Sequence, residues 1–289
     1  MLWLEQLVSG LSVGAVYALI ALGYTLVFGV LRLINFAHCD VMMVGAYAGY
    51  LSSVYLKAGF ILSAVIAAAL CAGLGLIIER VCYRPLRGAR GMPLMVVTLG
   101  VSLLLQYSVM LIFGAGARAY PSGFSGGVIH LGAVTIPSSK LAALLIGVTL
   151  TALLQLMLTK TRAGRAMRAV SDDEVAARLC GIHEQGAISL AFVLGCALAG
   201  VAGAVYGSMY LISPLMGVTP GLKAFAAAVV GGIGSVPGAV LGGFTLGMCE
   251  AFAGAAFGTA SRDVASFALL IGFLLLRPGG IVGSKAGAE

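Results

Sequence analysis

The sequence predicts an all-α membrane protein, a polytopic bundle of about eight spanning helices that is open to broken or re-entrant elements. Three observations carry that prediction. Hydrophobic residues make up 61% of the 289 positions and charged residues only 9%, far outside the range of chains that fold in water. The mean hydropathy is +1.09, and a water-soluble fold could not find enough polar surface to cover that much apolar side chain. The apolar residues also fall in runs close to the roughly 20 residues that a spanning helix needs.

Those runs cover 6–30, 41–56, 58–79, 94–114, 141–159, 187–212 and 236–255, with shorter ones at 223–233 and 264–276. Ten-residue segments of alternating polarity, the mark of a membrane barrel, are absent, so helices are expected. No basic residue precedes the first run and no clear small-residue cleavage site follows it. That run is therefore expected to remain as a span rather than leave as a signal peptide.

Charge sets the expected orientation. Nine of the seventeen basic residues lie in two short loops, about 80–93 and 160–186: Arg80, Arg84, Arg87 and Arg90 in the first, Lys160, Arg162, Arg165, Arg168 and Arg178 in the second. Both loops are expected to face the cytoplasm, and the loop 115–139 between them, with only Arg118, the opposite side. The net charge of +7 thus reports membrane topology and not nucleic-acid binding.

Small residues recur at four-residue spacing in three runs: Gly10, Gly14 and Ala18; Gly195, Ala199, Gly203 and Gly207; Ala239, Gly243, Gly247 and Ala251. Such stripes let helix backbones approach closely in lipid, so the bundle is expected to be tight. Cys39, Cys71, Cys82, Cys180, Cys196 and Cys249 show neither a CxxC pair nor a metal spacing, and read as small packing residues.

The stretch KAFAAAVVGGIGSVPGAVLGG, from Lys223 to Gly243, is helical in pattern at both ends but holds Gly231, Gly232, Gly234 and Pro237 in its middle. A break is expected there. Irregular backbone at membrane depth survives only where protein buries it or water reaches it, so the break hints at a cavity, with a plain kink or an external turn equally open. If 223–233 is a half-helix that does not cross, the tail lies outside; if it crosses, the tail with Arg277 and Lys285 lies inside, which the charge rule favours.

The polar segments are too short to bury a core of their own, which leaves one transmembrane domain over 1–289 and assigns any power source to another chain. No nucleophile-base set, metal site or phosphate loop is present. The glycines of VVGGIGSVPG follow no strand and lack a GK[ST] ending, so no cofactor is expected and ATP is left to partner subunits.

Three polar features remain. In TKTRAGRAMRAVSDDEVAARLCGIHEQG, residues 159–186, Ser171 and Glu174 form a capping-box pattern, Asp172 and Asp173 complement a helix N-terminus, and Gly181 ends the helix. About nine helical residues within 171–182 would expose Val175, Ala176 and Leu179. So short a helix is marginal alone, and it rests either on a cytoplasmic partner or on the membrane surface. Asn35, His38 and Asp40, in INFAHCD, stand between two apolar runs and either line a path or sit in the headgroup region. Glu250 is a carboxylate inside a span, with little other ionisable company in the runs, whereas an ion-coupled transporter usually carries several such groups. Glu79 and Arg80 mark a span end.

Over nearly its whole length the chain resembles the LivH-type permeases of branched-chain amino-acid ABC importers. The likeness is carried by GAVYALIALGYTLVFGVLRLINFAHCDVMMVGAYAGY, ERVCYRPLRG, GRAMRAVSDDEVAARLCGI and LKAFAAAVVGGIGSVPGAVLGG. It implies a multi-pass permease in a bacterial cytoplasmic (inner) membrane, bound by lipid, working with a second related permease subunit, two cytoplasmic ATP-binding subunits and an extracytoplasmic solute-binding protein. The resemblance implies that Asp172, Asp173, Glu174, Ala176, Ala177, Leu179, Gly181 and Ile182 couple the spans to the ATPases. The solute is expected to be a branched-chain or similar amino acid, with urea or short amides and an ion-coupled transporter or channel as alternatives. Expected path positions are Asn35, His38, Asp40, Gly231, Gly232 and Glu250. Cys39 departs from the family pattern, which usually has glycine there.

Overall fold

The computed structural model describes residues 2–32, 34–86, 92–121, 127–131, 134–277 and 279–282. Arg87, Arg90 and Lys285, which entered the charge argument, lie outside the described residues. The helices are α1 (Leu2–Leu31), α2 (His38–Tyr55), α3 (Phe60–Ile78), α4 (Met92–Phe113), α5 (Ser138–Lys160), α6 (Arg162–Asp172), α7 (Glu174–Leu179), α8 (Glu184–Met209), α9 (Val218–Gly231), α10 (Val236–Phe257) and α11 (Ser261–Leu276). A π-helical turn, Glu79–Tyr83, extends α3. An antiparallel hairpin, β1 (Val128–Leu131) with β2 (Val134–Pro137), precedes α5.

Among the described residues six helices, α1, α3, α4, α5, α8 and α10, are long and apolar enough to cross a membrane. The protein is thus an all-α multi-pass membrane protein, with α2, α9 and α11 completing the bundle. The small-residue stripes explain its tightness. The stripe of α1 faces the stripe of α10: a Cβ on Gly247 would stand 2.5 Å from Gly14 Cα, and one on Gly243 2.6 Å from Ala18 N. On α8, a Cβ on Gly203 would lie 2.0 Å from Met42 O of α2. With no hydrophobic effect to drive helices together in lipid, this close backbone approach supplies the packing energy.

Two hydrogen bonds define the ends of the bundle. Lys140 Nζ, in the first turn of α5, donates to Ser9 Oγ of α1 at 3.0 Å, and Ser171 Oγ of α6 donates to Gly29 O at 2.5 Å. The N-terminal part of α1 therefore lies at the hairpin end and its C-terminus at the basic end, beside α6 and α7. Because α10 runs antiparallel to α1, the α9–α10 turn falls at the basic end. The chain beyond Arg277 reaches the same place, where Ile281 N donates to Val230 O at 2.8 Å and Val282 N to Gly231 O at 3.1 Å. These bonds satisfy carbonyls that the end of α9 leaves free.

Two helices begin inside the bundle rather than at its surface. Asp40, in the first turn of α2, meets Ser102 and Gln106 midway along α4. The start of α9 lies beside it, since a Cβ on Gly217 would stand 2.4 Å from Cys39 O. The expected break after Lys223 falls at Gly232, whose φ of 105° suits glycine. Ser235 then caps α10, its Oγ accepting from Gly238 N at 3.2 Å.

Three local expectations are corrected. The helix expected over 171–182 is two helices: Ser171 and Asp172 end α6, and Asp173 caps α7. Ser171 is drawn away from a capping role by its bond to Gly29, a tertiary contact that no local pattern encodes. Asp172 therefore sits at a helix C-terminus, where the dipole gives it no support. Cys180 is exposed, while Cys39, Cys71 and Cys196 are buried as expected. Glu250 has more ionisable company than expected, because Asp40, Glu79 and Lys223 are buried too.

Candidate functional site

A cavity of about 170 Å³ opens where α1, α2, α4 and α9 meet. One side is polar, made by Asp40, Ser102, Gln106, Cys39 and Tyr24; the rest is apolar, with Ile34, Phe36, Leu99, Val218, Leu222 and Phe225. Ser102 Oγ donates to Asp40 Oδ2 at 2.5 Å and Gln106 Nε2 donates to Oδ1 at 2.9 Å. These bonds offset part of the cost of a carboxylate at this depth. Thr98, Ser102 and Gln106 form a buried stripe at four-residue spacing on a helix whose other faces are mostly exposed. That polar spacing in an apolar run was the signal from which Ser102 and Gln106 could have been found.

The expected path residues do not all share this cavity. Asp40 lines it. Asn35 is buried next to it and turns inward, its Oδ1 accepting from Ala37 N at 3.1 Å just before α2. His38 is buried against α1, its ring 4.8 Å from that of Tyr24 and close to Gly23. Gly231 and Gly232 lie at the basic end, packed on Gly238 and Gly280. Cys39 Sγ, 2.5 Å from Tyr24 Oη, fills space that Gly221 leaves open.

Glu250 belongs to a separate cluster. Its Oε1 pairs with Lys223 Nζ at 2.9 Å and accepts from Ser266 Oγ at 2.5 Å; its Oε2 accepts from Tyr17 Oη at 3.0 Å. Lys223 also reaches Asp263 Oδ1 at 2.7 Å. The cluster joins α1, α9, α10 and α11, and both Glu250 oxygens and the Lys223 ammonium have partners, as a buried ion pair requires. Sequence reasoning singled out Glu250 but not Lys223, a lone cation at the edge of an apolar run whose partners come from distant segments.

At the basic end, α6 turns Met167 and Val170 inward, with Arg165 and Arg168 on the exposed face. Asp173 Oδ1 accepts from Val175 N at 2.8 Å and Ala176 N at 2.9 Å, capping α7. Gly181, at φ 79°, closes it: Ile182 N donates to Ala177 O and Gly181 N to Arg178 O, both at 3.0 Å. The Arg178 guanidinium pairs with Glu184 and, at 3.5 Å, with Glu174. The hydrogen bond to Glu184 pushes its pKa further above the usual arginine value. Fixed at both ends, α7 presents Val175, 67% exposed, and Leu179, 85% exposed, while Ala177 is only 4% exposed and faces inward.

Residues 6–276 match the family model described as the permease component of the branched-chain amino acid transport system. The chain belongs to that permease family. This permease is 40% identical to the high-affinity branched-chain amino acid transport system permease protein BraD of Pseudomonas aeruginosa, over 97% of its own length and 96% of the relative's. To the corresponding LivH of Escherichia coli it is 41% identical with the same coverage. To a probable branched-chain amino acid transport permease LivH of Methanocaldococcus jannaschii it is 30% identical, over 92% of this chain and 88% of the relative. Its fold is similar to a chain of PsaBC from Streptococcus pneumoniae in complex with Fab, with a TM-score of 0.50 at 14% identity, covering 95% of this permease and 91% of that chain.

Proposed function

We propose that this permease carries branched-chain amino acids inward across a bacterial cytoplasmic membrane, driven by two cytoplasmic ATP-binding subunits that grip α6 and α7. A second related permease subunit completes the path, and an extracytoplasmic solute-binding protein delivers the solute. The relatives' names support the solute, and the basic residues at the α6–α7 end support its cytoplasmic orientation.

The observation that carries the coupling role is a rigid, apolar, unburied helix end. Leu179 and Val175 stand out from α7, and large apolar side chains held in the open on a capped helix suit a partner's pocket. Asp172, Asp173, Glu174, Ala176, Leu179, Gly181 and Ile182 frame that contact, and Ala177 seats α7 from behind. Movement of α7 passes to α6 and, through Ser171, to the end of α1 at Gly29. The path runs past Asp40, with Asn35 and His38 shaping the start of α2.

Reconstitution tests this reading. Vesicles holding this permease with its ATP-binding, permease and solute-binding partners should accumulate labelled leucine only when ATP is supplied on the α7 side. Accumulation without nucleotide, or of urea in place of leucine, would overturn it.

A further inference from the structure

Asp40 is a buried carboxyl with no cation paired to it among the described residues. Its two oxygens receive only the neutral donors Ser102 Oγ and Gln106 Nε2. The contrast with Glu250 is direct, since that carboxylate has Lys223 at 2.9 Å. Carboxylates inside membrane proteins tend to face cavities and to mark solute or ion routes, and Asp40 lines the cavity between α1, α2, α4 and α9. That cavity is amphipathic: its lining also includes the apolar Leu99, Leu222 and Phe225.

We infer that the cavity is a transient solute site in which Asp40 receives the ammonium group of the passing amino acid while the apolar wall takes its aliphatic side chain. This rests on the proposed transport function and deepens it by naming the group that recognises the solute inside the membrane. Ser102 and Gln106 act as positioning residues. They hold both carboxylate oxygens in place and leave the remaining lone pairs of each for the incoming N–H donors. Such a site suits a path that must release its cargo, because a single charged contact in a largely apolar cavity gives the solute few polar partners.

The same three side chains also hold α4 against α2, so the test must separate binding from architecture. Asp40→Asn keeps the shape, and the Gln106 amide can turn to preserve both hydrogen bonds, so α4 stays docked while the charge is lost. Equilibrium dialysis of tritiated leucine against the purified importer, without its solute-binding protein, reads the site directly. Bound leucine should be displaced by 3-methylbutylamine, which keeps the ammonium, and not by 4-methylpentanoate, which lacks it. Asp40→Asn should weaken leucine binding about ten-fold or more, with unchanged elution of the assembled importer. Replacing sodium by choline should leave binding unaltered.

Equal binding by Asp40→Asn, displacement by the carboxylate alone, or dependence on sodium would each overturn the inference. The competition series needs no variant, so it stands even if a substitution impairs folding. ATP-driven leucine uptake by the wild-type importer tests the transport function separately: intact uptake with unchanged Asp40→Asn binding defeats only the inference.

Discussion

Lys223 on α9 donates to Glu250 on α10 across 2.9 Å in the interior of the bundle, and the same ammonium reaches Asp263 of α11 at 2.7 Å. The pair secures a helix of only 14 residues that begins inside the bundle and ends at a glycine turn. Removing one partner of a buried pair strands the other. Lys223→Met should therefore destabilise the purified permease by about 3–5 kcal/mol. Adding Glu250→Gln should recover most of the loss, because the stranded charge disappears as well. Melting in detergent, followed by loss of the monodisperse elution peak, checks both outcomes.

The crossing of α2 and α8 should tolerate no added carbon. Gly203→Ala places a Cβ 2.0 Å from Met42 O, a backbone atom that cannot yield without moving a helix, and should cost about 1–3 kcal/mol or more. Gly73→Ala, on an open face of α3 with nothing within 4 Å, should be neutral or stabilising by about 0.5–1 kcal/mol. The same elution assay compares the two.

The cap of α7 gives a local prediction. Asp173→Ala removes the oxygen that accepts from Val175 N and Ala176 N and should cost about 1 kcal/mol. Hydrogen exchange over residues 175–179 should quicken roughly five-fold, with exchange in α8 unchanged.

Much of the fold is legible in the sequence because lipid imposes simple rules. The apolar runs give the long helices, and the stripes of α1 and α10 anticipate the face on which they meet. The glycines after Val230 mark the break between α9 and α10. What escapes is tertiary. Ser171 followed three residues later by Glu174 is a sound capping pattern, yet a distant carbonyl at Gly29 claims the hydroxyl and shifts the cap to Asp173. The helix α6 did leave a trace, with Met167 and Val170 three apart against Arg165 and Arg168, but so short a pattern is outweighed by the charge run that holds it. Asp40 and Glu250 stand out in sequence as polar residues in apolar company. Their opposite fates, one beside a cavity and one beside a lysine, depend on which helices arrive next to them.

The central claim is that a partner grips α7 from the basic end, and Leu179 tests it most directly. It is 85% exposed, so Leu179→Glu should leave the melting temperature of the permease unchanged. In the complete importer the variant should lower ATP-driven leucine uptake about ten-fold or more, as loss of an apolar anchor at an interface does. Uptake at the wild-type rate, with Leu179→Glu present in the membrane at normal abundance, would contradict the account.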